Sequence, residues 1–218
     1  MSAHTTEPLQ FVRDPVSDED LARANHYALI SRLFHAAPDD ALLDMMAASG
    51  DWLIDEDAPA VEAVRMAEAW NALCGACSAM DAEAARLEFD ALFGGVGRPA
   101  VTVFGSFYLA GFVNEKPLAA LRGDLAELGF ARAPGEALPE DHIAAVCDVM
   151  RLLLSDASRT AADRTALQDR FFARHVQPWY GALCDAVEAA AGANFYRRVS
   201  QYARCFFEVE KAALSIEP

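Results

Sequence analysis

Residues 17–34 have the sequence SDEDLARANHYALISRLF, in which apolar side chains recur at three- and four-residue steps. Ser17 followed by three acids is typical of a helix start, because the hydroxyl accepts a free backbone N–H and carboxylates favour the positive end of the helix dipole. The apolar positions, among them Leu21, Leu29 and Leu33, fall on one helix face. The stretch therefore predicts an amphipathic helix that packs on a core and ends near Pro38.

Helical periodicity of this kind continues through most of the chain, whereas sustained alternation of the strand type is hard to find. Residues 101–104 fit a short extended segment, but one such segment cannot form a sheet. We therefore predict an all-α fold of about nine helices. The helices are expected to begin near Ser17, Asp39, Pro59, Ala82, Glu115, Pro139, Asp163, Pro178 and Ala193.

A linker divides the predicted helices into two groups. Residues 130–138 contain Pro134 and Gly135, which favour a bend between elements. We predict a single helical domain with a flexible N-terminus (1–16), an N-terminal helical half (17–129), this linker or hinge, and a C-terminal helical half (139–214). Because helices joined by a Pro/Gly connection can exchange between copies, the prediction allows a monomer or a domain-swapped dimer.

Composition predicts an independently folding protein with a strong negative charge. Hydrophobic residues make up 54% of the 218 residues, and the net charge is −15 because 33 acidic residues face 18 basic ones. This charge repels nucleic acid and anionic lipid and attracts basic peptides, unless the acidity only keeps the chain soluble. No apolar run approaches the roughly 18–20 residues that span a bilayer, and residues 1–16 lack a secretory signal. We therefore expect a cytoplasmic protein without stable membrane insertion.

Motifs for catalysis or metal binding are weak. Cys74 and Cys77 have metal-ligand spacing, but no second pair follows, so buried thiols are preferred over a zinc or redox site. The histidines form no helical pairing with each other or with glutamate. Residues 94–97 are glycine-rich but lack the ending of a P-loop, which leaves a helical nucleotide hydrolase as a remote alternative. We predict no catalytic site, metal or cofactor.

Residues 139–143, Pro-Glu-Asp-His-Ile, place a carboxylate beside an imidazole directly after the linker. Pro139 suits the first helical position, and Glu140 and Asp141 suit the positive end of the helix dipole. A lone Asp-His pair is commonly a capping acid beside an ordinary histidine. Asp141 and His142 are nonetheless the strongest functional candidates, because these local preferences do not explain His142.

Three blocks of sequence resemble the TorD/DmsD/NarJ family of molybdoenzyme chaperones. They are residues 87–99 (LEFDALFGGVGRP), residues 104–109 (FGSFYL) and residues 139–143 (PEDHI). Later positions fit as well, namely Gln168, Phe171, His175, Pro178, Trp179, Phe195 and Tyr196. The resemblance covers residues 18–214 and implies an all-helical chaperone without enzymatic activity. Such a chaperone binds the twin-arginine signal peptide of a DMSO-reductase-type molybdoenzyme precursor, and the cofactor is inserted before export.

The resemblance also implies where the peptide binds, because the family's Asp-His pair and aromatic block are linked to signal-peptide recognition. The residues carried over are Asp141, His142, Pro139, Phe89, Leu92, Phe93 and Tyr108, with Pro139 shaping the turn. The four apolar or aromatic candidates are equally consistent with core positions. The physical requirement is a carboxylate beside an apolar groove, since a twin-arginine signal joins two guanidinium groups to a moderately apolar segment.

Two departures from the family pattern leave the client open. Many members have Tyr-Glu-Ser where this chain has Phe104-Gly105-Ser106, and many have a glutamate four residues after the histidine, where this chain has Val146. The alternative function is a chaperone for a molybdoenzyme without an export signal, such as a cytoplasmic formate dehydrogenase, recognised through another surface.

Overall fold

Ten α-helices make up most of the computed structural model, which describes residues 15–53, 61–94, 99–133, 135 and 138–215. Their bounds are α1 Asp18–His35, α2 Asp40–Ala47, α3 Val61–Ser78, α4 Ala82–Phe93, α5 Gly105–Ala110, α6 Lys116–Glu127, α7 Ile143–Leu154, α8 Ala161–His175, α9 Tyr180–Ala189 and α10 Phe195–Leu214. These residues contain no β-strand, so the all-α prediction is confirmed. Pro59, Pro134, residues 95–97 of the glycine-rich loop and residues 1–14 of the predicted flexible N-terminus lie outside the described residues.

Side-chain caps fix several of the helix starts. The Ser17 hydroxyl accepts the N–H of Asp20 at 3.0 Å at the start of α1. Asp39 and Asp81 cap α2 and α4 in the same way, and Thr160 caps α8. Each cap satisfies a backbone donor that the first helical turn leaves free, and typically contributes about 1 kcal/mol. Because Thr160 supplies the cap, α8 begins at Ala161 rather than at the predicted Asp163.

One core joins helices from both sides of the linker. α1 packs along α7, and α3 packs along α10. Ile30, Leu33, Met150 and Tyr202 are among the fully buried side chains of this core. The two predicted halves therefore interlock in a single domain, and the hinge role of residues 130–138 stays a prediction. None of the described helices combines the length and apolarity that crossing a bilayer requires.

A buried ion pair ties α10 to α1. Glu210 is 1% exposed and accepts hydrogen bonds from Nε and Nη2 of Arg23 at 2.7 and 2.9 Å. The hydroxyl of Tyr27 donates to the same carboxylate at 3.0 Å. Burial, together with the Glu210 charge, raises the pKa of Tyr27 well above its usual value, so the hydroxyl remains a donor. The buried Glu210 and Tyr27 thus depend on each other and on the half-buried Arg23, which also donates to Asp20 at 3.2 Å.

The start of α7 corrects the prediction for the Pro139 segment. α7 begins at Ile143, because Nδ1 of His142 accepts the N–H of Ala144 at 3.1 Å and makes His142 the N-cap. Pro139, Glu140 and Asp141 therefore precede the helix instead of forming its first turn. The dipole argument does not apply to them as predicted.

The sequence pattern predicts no helix at α5. With six residues, α5 is too short to show helical periodicity, and its N-cap residue Phe104 makes no side-chain cap. Its first N–H groups are instead bound by Asp141, which lies 35 residues away from Ser106 in sequence. Gly111, at φ 84°, ends the helix in the left-handed conformation that glycine tolerates. α5 is thus a product of tertiary structure.

Candidate functional site

The Asp-His segment lies beside residues 103–106. The N–H of Ile143 donates to the carbonyl of Val103 at 2.9 Å, and the N–H of Gly105 donates to the carbonyl of Asp141 at 2.9 Å. Between these bonds, Phe104 and His142 form an antiparallel bridge. The predicted extended segment 101–104 is therefore used to hold the Asp-His pair in place.

His142 is buried at the start of α7. Its exposed fraction is 5%, and its ring meets that of Phe104 edge to face at a centroid distance of 5.3 Å. Because Nδ1 caps α7, that nitrogen carries no proton when the cap is formed. The cap and the ring contact give His142 a structural role, and its role in peptide recognition stays a prediction.

Asp141 is also buried, with an exposed fraction of 4%. Its Oδ2 accepts the N–H of Ser106 at 2.8 Å and so caps α5. Its Oδ1 is buried and has no hydrogen-bond partner among the described residues. One half of the carboxylate therefore stabilises the fold, while the other half makes no hydrogen bond within the described residues.

Asp141 lines a small cavity between α5, α6 and the end of α8, which we call the polar cavity. Its volume is about 120 Å³. The walls include Ser106, Leu109, Leu121, Asp141, Arg174, His175 and Trp179. The cavity joins the predicted Asp141 to polar residues that come from distant parts of the sequence.

A second Asp-His pair lies at the polar cavity. Nε2 of His175 lies 2.5 Å from Oδ2 of Asp124, and Nη1 of Arg174 donates to Asp124 at 2.9 Å. Burial lowers the pKa of His175, and although the Asp124 hydrogen bond acts against this shift, the pKa remains below its usual value. The imidazole is therefore neutral near pH 7, and the charges of Arg174 and Asp124 offset each other.

Asp124 and Arg174 are not predicted from the sequence, and His175 is only one of the positions that fit the family resemblance. The available signal was weak: Asp124 lies within an ordinary helical pattern, 51 residues before His175. Only the packing of α6 against neighbouring elements brings the two side chains together.

Trp179 forms the apolar wall of the polar cavity. Its ring stacks on Tyr108 at a centroid distance of 5.9 Å and an interplanar angle of 16°, and its Nε1 donates to the carbonyl of His175 at 2.6 Å. The half-buried Tyr108 is held in turn by a hydrogen bond from its hydroxyl to the carbonyl of Thr102 at 2.7 Å. Of the predicted groove residues, Tyr108 therefore comes close to the Asp141 site, through Trp179.

Gly105 is required where α5 meets Trp179. A Cβ at this position would lie 2.9 Å from Cε2 of Trp179, closer than real contacts allow. We expect Gly105→Ala to lower the free energy of unfolding by about 1–3 kcal/mol, because the indole is fixed and cannot yield. Gly123→Ala is the matched control, since its Cβ would meet nothing within 4 Å inside α6. This control should stabilise by roughly 0.5–1 kcal/mol. Urea denaturation compares the two, and shifts of the same sign would contradict the close approach.

The other predicted groove residues lie elsewhere. Leu92 is fully buried in the core, while Phe89 and Phe93 are half-buried. The rings of Phe89 and Phe93 pack on Tyr196 at centroid distances of 5.7 and 5.1 Å, and Phe93 also meets Phe34. None of these three predicted residues lines the polar cavity. Their role in peptide binding stays a prediction.

A larger depression, which we call the linker groove, lies between α1, α6 and α7. Its volume is about 520 Å³, and it shares no lining residue with the polar cavity. Its charged lining residues are Arg32, Arg132, Glu140, Asp148 and Arg151. Glu140 is paired with Arg122 at 2.9 Å and Asp148 with Arg151 at 2.7 Å, so both acids already have partners. The groove is a separate surface with apolar walls and several guanidinium groups.

The cysteines and the described metal-ligating side chains show no reactive grouping. All five cysteines are free, and burial raises the pKa of Cys77 to about 12 and that of Cys184 to about 11. Such thiols are poor nucleophiles. Across the described ranges, no three His, Cys, Asp or Glu side chains are placed to hold a metal ion. The polar groups at the cavity suit hydrogen bonding and charge recognition.

Comparison with protein families gives a match over the centre of the chain. A family model described as nitrate reductase delta subunit matches residues 61–185, which is more than half of the chain. The matched region contains Ser106, Asp141, His175 and Trp179 of the polar cavity. No curated protein in the comparison matches the chain.

Proposed function

This chain belongs to the nitrate reductase delta subunit family, which consists of chaperones for molybdoenzyme maturation, and we propose that it binds the twin-arginine signal peptide of a DMSO-reductase-type precursor. In this proposal the protein is a cytoplasmic, non-enzymatic chaperone. It holds the precursor while the molybdenum cofactor is inserted and then releases it for export.

The observation that supports this proposal is a half-satisfied carboxylate beside exposed apolar side chains. Oδ1 of Asp141 lacks a partner among the described residues at the polar cavity. Leu109 lines the same cavity, and Phe112 and Val113, which follow it after α5, are 70% and 46% exposed. A guanidinium group next to an apolar peptide segment matches both features.

The magnitudes are consistent with reversible binding. A shielded arginine–carboxylate hydrogen bond contributes about 1.5–3 kcal/mol. Burial of roughly 300 Å² of apolar peptide surface adds on the order of 7 kcal/mol before the cost of ordering the peptide is subtracted. The net charge of −15 also favours the approach of a cationic peptide. Micromolar affinity follows, which permits later release.

The direct test is a calorimetric titration with twin-arginine leader peptides of molybdoenzyme subunits from the same genome. We expect one of them to bind with a dissociation constant of about 1 μM, corresponding to roughly 8 kcal/mol. A scrambled peptide of identical composition is the control for non-specific attraction to an acidic protein. If no leader binds while circular dichroism shows an intact helical fold, the proposed function is wrong.

A second candidate function arises from the linker groove. Its apolar walls and its arginines offer a docking surface apart from the polar cavity, which suits a chaperone for a non-exported molybdoenzyme such as a cytoplasmic formate dehydrogenase. Pull-down of a client that lacks its first ~40 residues, enough to remove a leader, separates the candidates. Undiminished capture would favour this second function over leader binding.

A further inference from the structure

The linker groove is lined by small side chains where α1 meets α7. Ala28 and Ser31 come from α1, and Ala144 and Ala145 come from α7. The hydroxyl of Ser31 donates to the carbonyl of Ala144 at 2.9 Å, so the two helices are in direct contact there. Larger apolar side chains complete the lining, namely Leu125, Phe130, Leu138, Val149 and Leu152. A partner surface can therefore approach the contact between α1 and α7 closely and be enclosed by apolar side chains.

The length of the linker groove matches two turns of a helix. Its lining residues on α7 extend from Ala144 to Leu152, and those on α1 extend from Ala28 to His35. At 1.5 Å per residue these spans are about 12 and 10 Å. An amphipathic helix that anchors through positions i, i+3 or i+4 and i+7 needs about the same length. Since the described residues form no β-strand, they offer an extended peptide no strand edge to pair with.

The linker groove is locally positive, although the chain as a whole carries a net charge of −15. Arg32, Arg132 and Arg151 line it, against the two acids Glu140 and Asp148. Burial alone would raise the pKa of Glu140, but hydrogen bonds and nearby arginine charges, that of Arg132 included, hold this pKa below its usual value. The acids of the groove are thus charged and already neutralised, which leaves an excess of guanidinium groups.

These guanidinium groups are accessible to a ligand. Arg132 is exposed and takes part in no ion pair with another described residue. The side chains of Arg151 and its partner Asp148 are 36% and 48% exposed. Arg32 lies 3.6 Å from Asp39, whose side chain is 66% exposed. Exposed ion pairs of this kind contribute little to stability, so the arginines can exchange these partners for carboxylates of a ligand at small cost.

We propose that the linker groove binds an acidic amphipathic helix of a client's folded body, whose apolar face lies over the contact between α1 and α7 and whose carboxylates pair with Arg32, Arg132 and Arg151. This inference deepens the second candidate function and rests on it for the identity of the client. The arginines favour an acidic helix over a twin-arginine leader, because like charges facing each other oppose binding. The apolar lining supplies most of the affinity, and the arginines select the charge of the ligand.

The groove can be tested without a client by fluorescence anisotropy with labelled synthetic helices of about 14 residues, roughly four turns. One peptide has leucines at positions i, i+3, i+4 and i+7 with flanking glutamates, and a second has lysines in place of the glutamates. We expect the acidic peptide to bind at least tenfold more tightly, although the net charge of the protein favours the basic peptide at long range. A third peptide, acidic but with scrambled leucines, should bind as weakly as the basic one.

Arg132→Glu tests the charge selection. The change removes one attraction and adds one repulsion, so we expect it to weaken binding of the acidic peptide about tenfold. Arg197→Glu is the matched control, because Arg197 is exposed on α10 and lies outside both cavities, while the change in net charge is identical. If the basic peptide binds as tightly as the acidic one, if no peptide binds, or if Arg132→Glu and Arg197→Glu have equal effects, the inference is wrong.

Ala145→Leu tests the apolar lining by filling the groove from α7. We expect it to weaken binding of the acidic peptide about tenfold, whereas Ala119→Leu on the exposed face of α6, outside both cavities, should leave affinity unchanged. Circular dichroism checks that both variants are folded. Sedimentation of the protein alone tests another occupant of the groove: a dimer that Arg132→Glu or Ala145→Leu dissociates would show that a second copy covers the groove, and would overturn the inference.

Pull-down of the client that lacks its first ~40 residues separates failure of the groove from failure of the second candidate function. If the truncated client is captured equally by the unchanged protein and by Arg132→Glu and Ala145→Leu, the groove inference fails and the second candidate stands. If the truncated client is not captured while the acidic peptide still binds in the groove, the groove inference stands and the second candidate fails. Binding of a twin-arginine leader should be unaffected by Ala145→Leu, because the two cavities share no lining residue.

Discussion

Glu210→Ala is expected to lower the free energy of unfolding by about 3–5 kcal/mol, although Glu210 lies outside both cavities. The change removes the shared acceptor of the Arg23 guanidinium and the Tyr27 hydroxyl. Tyr27 is fully buried, so its hydroxyl would be left without a partner, and the Arg23 guanidinium, 18% exposed, would keep only Asp20 at 3.2 Å as its acidic partner. At roughly 2–4 °C per kcal/mol, the melting temperature should fall by about 10 °C.

The matched control for this prediction is Glu208→Ala on the same helix. Glu208 accepts a hydrogen bond from the hydroxyl of Tyr180, but its side chain is 51% exposed, so solvent can replace the contact. We expect a cost of about 1 kcal/mol or less. Urea denaturation followed by circular dichroism measures both variants. Equal costs for Glu210→Ala and Glu208→Ala would show that burial of the Arg23–Glu210 pair does not matter.

Replacing the whole ion pair gives a sharper contrast. Removing one partner strands a buried charge, whereas replacing both by apolar residues of similar size is often neutral. The double variant Arg23→Met, Glu210→Met, combined with Tyr27→Phe to remove the remaining hydroxyl, should therefore be more stable than Glu210→Ala alone. If this combined variant is less stable than Glu210→Ala, the hydrogen-bonded ion pair stabilises the fold more than apolar side chains of similar size do.

The helices of this fold could be predicted because apolar side chains recur at helical spacing along the chain. Ser17, Asp39 and Asp81 each precede an apolar helical pattern, and each caps the expected helix. Such signals are local, so one sequence is enough to detect them. The packing of α1 on α7 and of α3 on α10 is not local, and nothing in the periodicity specifies which faces meet.

The site could be predicted only in part, and for a physical reason. The sequence predicts Asp141 as a possible functional acid at the positive end of a helix dipole, whereas in the structure Asp141 caps α5 instead of its own helix. Arg174 and His175, which line the same polar cavity, are brought to it by the packing of α8. A side chain whose partners lie on other elements leaves no periodic signal in the sequence, so these residues could not be found from spacing.

Trp179→Ala is expected to lower the free energy of unfolding, measured by urea denaturation, by about 3–5 kcal/mol. This is the range for removing a large aromatic side chain from a core. Trp179 is 2% exposed and connects α5 to the end of α8, since it touches Gly105, stacks on Tyr108 and donates to the carbonyl of His175. Alanine would leave a cavity and would also leave that buried carbonyl without its donor. The same change removes the apolar wall of the polar cavity.

Trp52→Ala is the matched control, because Trp52 is 42% exposed. Its ring stacks on that of His26 at a centroid distance of 6.0 Å. Its loss should cost about 1 kcal/mol, the size of one aromatic contact at a surface. Trp179→Phe should fall between the two, since phenylalanine keeps much of the stacking on Tyr108 but cannot donate to His175. This milder variant also tests the proposed function: it should remain folded yet bind a twin-arginine leader peptide more weakly, because tryptophan offers the better cation–π surface. If Trp179→Ala lowers the free energy of unfolding no more than Trp52→Ala does, the indole is not the fixed wall against which Gly105 packs.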